Sequence, residues 1–318
     1  MSSPSVPLPP VSGSQHVITA GPYQAAIASV GATLRQLTFE GRDLIVPFAD
    51  HQIRPNYRGA VLAPWPNRVI DGRYTVDGEV RQLPLTEPNR GHALHGLVAW
   101  TNFEVSTAGP DHVGLRTVVE ARTGYPHRLA LEVTYQADAV QGLRWSVSVT
   151  NLSAQAAPYG TGPHPYLVAG PGRLDECWFE LPASDYMTVE GERLLPGKLE
   201  SVEGTAFDFR QSRRLGPVMI DHAFVGLDFS GASSGSPRPG TVRASLRHPS
   251  GSGVAITWDK ACPWVQVHTA DLPVAQASRL GLAVEPMTCP PDAFNSGTDL
   301  IWLEPGGRHR AEWVLTGW

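Results

Sequence analysis

Cysteine is scarce in this chain of 318 residues, and its three cysteines, Cys177, Cys262 and Cys289, are scattered. So few cysteines exclude a disulfide framework and a zinc site built on cysteine. Charge is scarce as well, because Asp, Glu, Lys and Arg make up only 17% of the residues and the net charge is -5. Without a basic cluster, the chain has no electrostatic reason to bind nucleic acid or an anionic membrane.

Long apolar runs and nucleotide-binding loops are also missing. No stretch approaches the roughly 18 apolar residues of a membrane helix, and the first residues lack the basic region and apolar core of a signal peptide. Neither the lysine-containing phosphate loop nor the glycine-rich dinucleotide fingerprint occurs. We therefore expect no membrane partner, a cytoplasmic location, and a disordered leader over residues 1–18.

Turn-forming residues are abundant, with 32 glycines and 29 prolines. Between them, segments such as residues 23–30 and 33–39 alternate apolar and polar side chains, as half-buried strands do. Asp77-Gly78 between two alternating runs indicates a hairpin. No helical pattern of useful length interrupts the strands. The sequence therefore predicts an all-β protein, a single large antiparallel β-sandwich domain over residues 19–318.

A carboxylate, Glu285, follows the apolar residues 282–284 and precedes a proline-rich stretch. At the end of a strand beside a loop, such a side chain can be held rigidly at the mouth of a cavity. Burial beside apolar neighbours would raise its pKa toward the range of a general base. The local sequence is equally consistent with an ordinary solvated strand end.

Three histidines are candidates for chemistry. His164 lies between two prolines, which restrict its backbone and suit either a pre-organised general acid or a rigid turn. His92 and His95 are three residues apart, the spacing of a metal pair on a helix. Flanking glycines and the absence of a helical pattern argue against zinc there. We predict no metal, with His95 either a site residue or a structural histidine.

Other polar residues and some of the tryptophans are weaker candidates. Asn67 and Arg68 lie in a proline-constrained loop, where an arginine can be a fixed donor to an oxygen-rich ligand or a surface residue. Asp221 could accept hydrogen bonds from hydroxyl groups or face solvent. Nine tryptophans are many for this length, and most are expected in the core, although some could stack on sugar rings.

Taken in order, these segments resemble the aldose 1-epimerase (galactose mutarotase) family over residues 20–318. The resemblance is carried by Pro66-Asn67-Arg68 with Gly72-x-Tyr74, Leu94-His95-Gly96 with Trp100, His164-Pro-Tyr166, Asp221-His-Ala-Phe224, Gln266-Val-His-Thr, and Glu285 followed by Pro286 and Ala-Phe-Asn295. Each motif is weak alone, and the ordered set is specific.

The resemblance implies the galactose mutarotase-like supersandwich, a cleft for a sugar, and no cofactor or metal. It implies that Glu285 is the general base and His164 the general acid. Its expected substrate-binding residues are Asn67, Arg68, His95, Asp221 and Gln266. The partner would be a small-molecule sugar, bound by a monomer or homodimer. We expect Glu285 to face His164 across a sugar-sized cleft.

Two departures from typical galactose mutarotases leave the sugar open. The residues after His95 are Gly-Leu-Val-Ala-Trp100 rather than a glycine-rich run. His164 lies in the sequence Pro-His-Pro-Tyr rather than Asn-His-x-Tyr. Glucose, galactose or a related free aldose is the leading substrate class. One alternative is a hexose-6-phosphate 1-epimerase, for which Arg54 and Arg58 could receive the phosphate. Another is a non-catalytic carbohydrate-binding or regulatory module on the same scaffold.

Overall fold

The computed structural model describes residues 10–230 and 238–318 of the chain. These residues form 27 strands, one four-residue α-helix and three short 3-10 turns. Almost all of the regular structure is therefore strand, and the predicted all-β class is confirmed.

The strands are short and numerous, as the turn-rich composition predicts. The first third of the chain contains β1 (Gln15–Ala20), β2 (Tyr23–Ala28), β3 (Thr33–Phe39), β4 (Arg42–Asp43), β5 (Val61–Leu62), β6 (Arg68–Val69), β7 (Arg73–Val76), β8 (Glu79–Gln82), β9 (Ala93–Leu94) and β10 (Glu104–Ala108). The middle contains β11 (His112–Val119), β12 (Leu129–Asp138), β13 (Gly142–Asn151), β14 (Ala157–Tyr159), β15 (Gly162–Pro163), β16 (Tyr166–Leu167), β17 (Trp178–Glu180), β18 (Ala183–Glu190), β19 (Leu195–Ser201) and β20 (Arg213–Arg214). The last part contains β21 (Asp221–Leu227), β22 (Thr241–Arg247), β23 (Gly253–Asp259), β24 (Trp264–His268), β25 (Leu282–Met287), β26 (Ile301–Leu303) and β27 (Arg308–Gly317). The 3-10 turns are Pro55–Tyr57, Ile70–Gly72 and Leu174–Glu176, and the helix α1 is Ala293–Ser296.

Two large sheets dominate the described structure. A nine-stranded sheet runs in the order β10-β11-β12-β13-β27-β23-β22-β17-β20, and a six-stranded sheet in the order β16-β25-β24-β21-β18-β19. A smaller four-stranded sheet, β1-β2-β3-β4, comes from the start of the chain. The pairs within both large sheets are antiparallel, for example β12 with β13 and β24 with β25. This is the antiparallel sandwich expected from the sequence.

The core lies between the sheets, and the alternation of side chains along each strand determines which residues enter it. Trp145 and Trp313 of the nine-stranded sheet share one apolar cluster with Val265, Val267 and other side chains of the six-stranded sheet. Because successive side chains in a strand point to opposite faces, the residues between these valines point away from that cluster. The outer face of β24 and β25 is therefore where polar side chains can collect.

The turn chemistry follows the sequence in detail. Asp77 and Gly78 have φ of 50° and 77° and join β7 to β8, which confirms the predicted hairpin. Positive φ at both positions is what a tight two-residue turn needs to match the twist of the strands. Glu40 and Gly41, with φ of 51° and 76°, join β3 to β4 in the same way.

The predicted boundary of the leader is too late. β1 begins at Gln15 and pairs with β2 over its full length, and Ile18 on it is buried. Residues 15–18 are ordered because this strand has a partner and an apolar side chain to bury, which the composition of the preceding prolines and serines did not reveal. Residues 1–9 lie outside the described residues. In the part of the chain that the structure covers, no helix is long and apolar enough to span a membrane.

Candidate active site

The strand register of the six-stranded sheet brings predicted site residues into one row. Glu285 on β25 is directly opposite Gln266 on β24, and Gln266 is opposite Ala223 on β21, two residues from Asp221. The pairing of β16 with β25, continued by one bond from the amide of Val284 to the carbonyl of Pro165, brings His164 beside Glu285. Four separate segments thus present polar side chains along one face.

The backbone of His164 is fixed from both directions. Its N–H donates to the carbonyl of Ala60 at 3.0 Å, and its carbonyl accepts from the N–H of Gly59 at 2.8 Å. The prolines on either side restrict the same backbone. The imidazole is therefore held in one place relative to the sheet.

Glu285 lies inside a strand rather than at its end, which corrects the prediction. β25 continues through Pro286 to Met287. A proline can stand there because β16 pairs with β25 only at Leu282 and Ala283, which leaves Pro286 outside that ladder. Glu285 consequently gains its rigidity from strand pairing on β24, not from a neighbouring loop.

The carboxylate and the imidazole are in direct contact. Glu285 Oε1 lies 3.3 Å from His164 Nε2, and the two side chains are only 2% and 5% exposed. We expected a sugar-sized gap between them, and this expectation is wrong. His164 lies just before β16, in the position that continues the pairing of β16 with β25 to Glu285, so the spacing between paired segments brings the groups together.

Burial shifts the pKa of both groups toward their uncharged forms. It raises the pKa of Glu285 well above its usual range, reinforced by the Asp221 carboxylate and opposed by the Arg68 guanidinium. It lowers the pKa of His164 to about 3, with a further contribution from His268. The neutral pair holds one proton on the carboxyl, and its transfer along the contact gives carboxylate and imidazolium. In the charged form, the imidazolium can donate a proton to a substrate while the carboxylate accepts one.

His95 lies against this pair and presents a donor. Its ring is 5.1 Å from the ring of His164, and its Nδ1 accepts a hydrogen bond from the N–H of Asn67 at 3.2 Å. A neutral imidazole that accepts at Nδ1 carries its proton on Nε2. Burial, together with His164 and Arg68, lowers the pKa of His95 well below its usual value. His95 is thus a neutral ring with an N–H at Nε2.

Asn67 and His95 share a strained backbone. Their φ angles are 54° and 60°, in the left-handed region that few residues other than glycine adopt. Each is tied to the other, since the N–H of His95 donates to the carbonyl of Asn67 at 2.8 Å. Residues held in this region cluster at binding sites, where the surroundings impose the conformation.

Arg68 is held by a carboxylate that the sequence did not single out. Its Nε and Nη2 contact Glu87 Oε2 and Oε1 at 2.7 and 3.0 Å, and Arg90 Nη1 adds a third bond to Glu87 at 2.7 Å. This bidentate pair fixes the plane of the guanidinium and leaves Nη1 of Arg68 for another partner. Arg68 and Asn67 line a small cavity together with Asp221 and Gln266.

Asp221 and Gln266 form the far end of the row. Gln266 Nε2 donates to Asp221 Oδ1 at 2.7 Å, and Gln266 Oε1 is buried without a partner among the described residues. His268 Nδ1 lies 3.7 Å from the same Asp221 oxygen. The row therefore offers unused acceptors on Gln266 and Asp221.

Sequence reasoning missed Glu87, His268 and Tyr57. His268 could have been found, because it follows Gln266 by two residues on a strand and so shares its face. Tyr57 packs its ring 4.7 Å from that of His95, and nothing local indicated this. Glu87 gave no signal either, since its pairing with Arg68 depends on how two distant loops meet.

The other residues considered from sequence fall into two groups. Trp65 is buried and its indole N–H donates to the carbonyl of Ala93, while both ring nitrogens of His92 are used, by the amide of Asp71 and the carbonyl of Arg193. These two are structural. Trp100 is 54% exposed and lies beside Tyr57, so it can line the approach to the site.

Three of the site's donors could together ligate a metal ion. One ligand atom each from His95, His164 and Glu285 lies within 4.8 Å of the others, and two histidines with one carboxylate is a known catalytic zinc set. His92 and His95, where the sequence argued against a metal, do not form such a pair, because both ring nitrogens of His92 are engaged. That the protein needs no metal stays a prediction.

The family of the chain follows from comparison with known proteins. The sequence profile of the family described as aldose 1-epimerase matches residues 14–316. The uncharacterized protein YihR of Escherichia coli K12 is 37% identical over 307 residues, which cover 96% of this chain and 94% of YihR. Mouse galactose mutarotase is 30% identical over 264 residues, 77% of this chain and 74% of that protein.

Solved structures of low identity share the fold. The GalM/aldose epimerase homologue of C. elegans superposes with a TM-score of 0.81 at 21% identity, covering 96% of this chain and 99% of that one. Galactose 1-epimerase of Lactobacillus acidophilus gives 0.77 at 20% identity, with 95% and 94% covered. With the profile match over nearly the whole chain, these findings lead to one conclusion. The protein belongs to the aldose 1-epimerase family.

Proposed function

We propose that this protein is an aldose 1-epimerase that interconverts the α- and β-anomers of a free aldose such as glucose or galactose. The observation that carries the proposal is the buried contact of 3.3 Å between Glu285 and His164. A carboxylate and an imidazole that share one proton supply the acid and the base that anomer exchange requires.

The chemistry needs two proton transfers at neighbouring oxygens. In the carboxylate–imidazolium form of the pair, Glu285 takes the proton of the C1 hydroxyl while His164 protonates the ring oxygen, the C1–O5 bond breaks, and an open-chain aldehyde forms. Rotation about C1–C2 exposes the other face of the aldehyde, and the ring closes with the two groups exchanging roles. Both oxygens are bonded to C1, so an acid and a base in contact with each other can serve both.

The surrounding residues match the hydroxyl groups of a sugar. His95 Nε2 and Arg68 Nη1 are donors, and their expected role is to hold the substrate and its ring oxygen. Asp221 and Gln266 Oε1 are acceptors for hydroxyl groups, and Asn67 positions His95 through its backbone N–H. Each of these roles is part of the proposal.

The alternative of a hexose-6-phosphate is less favoured by the charges near the site. Arg54 is buried, donates to Thr33 and the carbonyl of Ala99, and stacks on Trp100, so it has little to offer a phosphate. Arg68 and Arg90 both pair with Glu87. The remaining candidate, Arg58, packs over Tyr166. A neutral sugar suits this environment better than a dianion.

A purely carbohydrate-binding module has no use for the central pair. Burying an ionisable carboxyl and an imidazole together costs free energy that a binder could avoid. The presence of both groups in one buried contact therefore supports a catalytic site. The cytoplasmic location and the state of monomer or homodimer stay predictions.

Polarimetry of freshly dissolved α-glucose and α-galactose tests the function. The wild-type protein should accelerate mutarotation, and Glu285→Gln should reduce the acceleration by at least about a hundredfold. Glucose 6-phosphate, followed by NMR, should be turned over less efficiently than glucose. If the wild-type protein leaves the rate for every sugar unchanged, the enzyme proposal fails.

A further inference from the structure

One hairpin departs from the sheet that carries the site. β18 pairs with β21 only from Ala183 to Tyr186, whereas its pairing with β19 continues to Glu190. Among the described residues, the distal half of this hairpin, residues 187–196, therefore has strand pairing with the six-stranded sheet only through its own base. Met187, at the start of this segment, also packs on the apolar cluster of Ala223, Trp264 and Met287. We call this segment the hairpin arm.

The hairpin arm forms one wall of the cavity beside the acid–base pair. Met187, Val189, Leu194 and Pro196 line it, facing Asn67, Arg68, Asp221 and Gln266. The arm supplies only apolar side chains, while hydrogen-bonding groups come from the opposite side. A sugar has both kinds of surface, since its hydroxyl groups project at the edge and its C–H groups form apolar patches.

The cavity is too small for entry without movement. The space within it is about 10 Å³, far below the roughly 300–1,000 Å³ of typical small-molecule sites. Glu285 and His164 are almost completely buried at the same time. For a sugar to reach the pair, some part of the cavity wall has to move, and the arm can do so because its strand pairing with the sheet ends at its base.

Leu194 is held in an unfavourable conformation at the tip of the arm. Its φ is 56°, which is rare for a bulky side chain, and its N–H donates to the carbonyl of Gly191 at 3.2 Å. An asparagine or a glycine would adopt this backbone more readily. The strain is consistent with a functional demand for an apolar side chain at this point of the cavity.

The tip of the arm is fastened to the loop that holds Arg68. Arg193 pairs with Asp71 and its Nε donates to the carbonyl of Arg90 at 3.0 Å. Arg90 Nε in turn donates to the carbonyl of Glu192 at 3.1 Å. The Arg193 and Asp71 side chains are 45% and 57% exposed, and ion pairs at that exposure contribute little stability. His92 Nε2 also contacts the carbonyl of Arg193 at 3.0 Å, so opening the arm breaks this partly buried contact as well as the exposed ion pair.

We propose that the hairpin arm is a movable substrate wall in which Leu194 is a specificity-determining residue. Leu194 packs on a C–H surface of the bound sugar, and Arg193 keeps the arm closed while the acid–base pair acts. The proposal rests on the proposed function, because it assigns the apolar half of the same sugar site. An apolar wall of this kind selects aldoses that present C–H groups, rather than a charged group, toward the arm.

Kinetics of three variants test the wall. Leu194→Asn retains a residue suited to positive φ but removes the apolar contact, and it should raise KM for galactose or glucose about tenfold with kcat changed less than about twofold. Leu194→Met should restore a KM near that of the wild type. Leu199→Asn, on the same hairpin but outside the cavity and 54% exposed, is the matched control and should leave both constants unchanged.

Hydrogen exchange tests the movement independently of turnover. Saturating galactose or glucose should slow exchange of the amides of residues 187–196, and Arg193→Ala should speed that exchange without sugar and raise KM several-fold. Two results with an active wild-type protein would overturn the proposal. One is a Leu194→Asn variant with the KM of the wild type, and the other is exchange of the arm amides at the same rate with and without sugar. Loss of the proposed function itself would show differently, as a wild type that accelerates no mutarotation.

Discussion

Arg68 and Glu87 form a bidentate ion pair at the rim of the site, with N–O distances of 2.7 and 3.0 Å and side chains that are largely buried. The carboxylate engages two of the three guanidinium nitrogens, Nε and Nη2, and so fixes the direction in which Nη1 points. The desolvated pair has no other strong partners apart from Arg90 on Glu87 among the described residues. Removing one partner leaves a buried charge uncompensated.

We therefore expect Glu87→Gln to damage both stability and substrate binding. Loss of one buried partner should lower the free energy of unfolding by about 3–5 kcal/mol, and KM should rise more than kcat falls because Arg68 loses its orientation. Chemical denaturation and polarimetry measure the two effects. The double variant Arg68→Met with Glu87→Gln is the control, and it should be less destabilised than the sum of the single variants; strict additivity would contradict the pairing.

The pKa of His164 predicts an acid dependence of stability. Burial lowers this pKa to about 3 in the folded protein, against roughly 6.5 in the unfolded chain. Between these values the unfolded state binds the proton and the folded state does not, so stability falls as pH falls. One such group gives a slope of about 1.4 kcal/mol per pH unit.

His164→Asn should remove about this slope between pH 4 and 6, measured by denaturant titration at several pH values. Glu285 has the opposite shift, since burial raises its pKa. Its contribution is present below the unfolded pKa and is lost as pH rises through the folded value. His51, whose side chain is 77% exposed, provides the control variant His51→Asn. An unchanged slope in His164→Asn would show that the imidazole is charged in the folded state.

His95 is expected to act as a hydrogen-bond donor through Nε2. His95→Phe keeps a ring against Tyr57 but lacks the donor, and it should lower kcat by about 10²–10³-fold, the usual cost of one donor to developing negative charge. NMR of ¹⁵N-labelled protein should show the Nε2–H tautomer. If Nδ1 carries the proton instead, the hydrogen bond assigned from the N–H of Asn67 is wrong.

Chelation should leave the activity intact. Treatment with EDTA, followed by removal of the chelator and metal analysis, should give metal-free protein with the wild-type mutarotation rate. Added Zn²⁺ should inhibit, because His95, His164 and Glu285 can ligate it with the groups that the reaction needs. Loss of activity on chelation and its return with Zn²⁺ would overturn the metal-free mechanism.

The sequence predicted the architecture better than the distances within the site. Alternation and Asp77-Gly78 were sufficient for strands and a hairpin, because these depend on nearest neighbours. Gln266 and Glu285 could be chosen as site residues from their motifs. That they lie opposite each other depends on the pairing of β24 with β25, which local patterns do not encode.

Three outcomes depended on tertiary structure alone. The contact between His164 and Glu285 follows from the register of the segment before β16 against β25, whereas the family resemblance led us to expect a gap. Pro286 suggested the end of a strand, but β25 continues because β16 leaves that position unpaired. Glu87 reaches Arg68 through a loop whose course is set by the packing of β6 against β9. None of these relationships has a signal within a short window of sequence.

The alternation along β24 has a consequence for how this protein can change. Val265 and Val267 face the core while Gln266 faces the site, so a shift of one residue would exchange the two sets. An insertion or deletion in these strands therefore disrupts the core packing and the arrangement of site residues together. Changes in these strands are accordingly restricted to substitutions. The turn of the hairpin arm, residues 191–194, lies between β18 and β19 and is not subject to this constraint. New substrate ranges in laboratory evolution should accordingly arise from changes in its length and composition, with the strands left untouched.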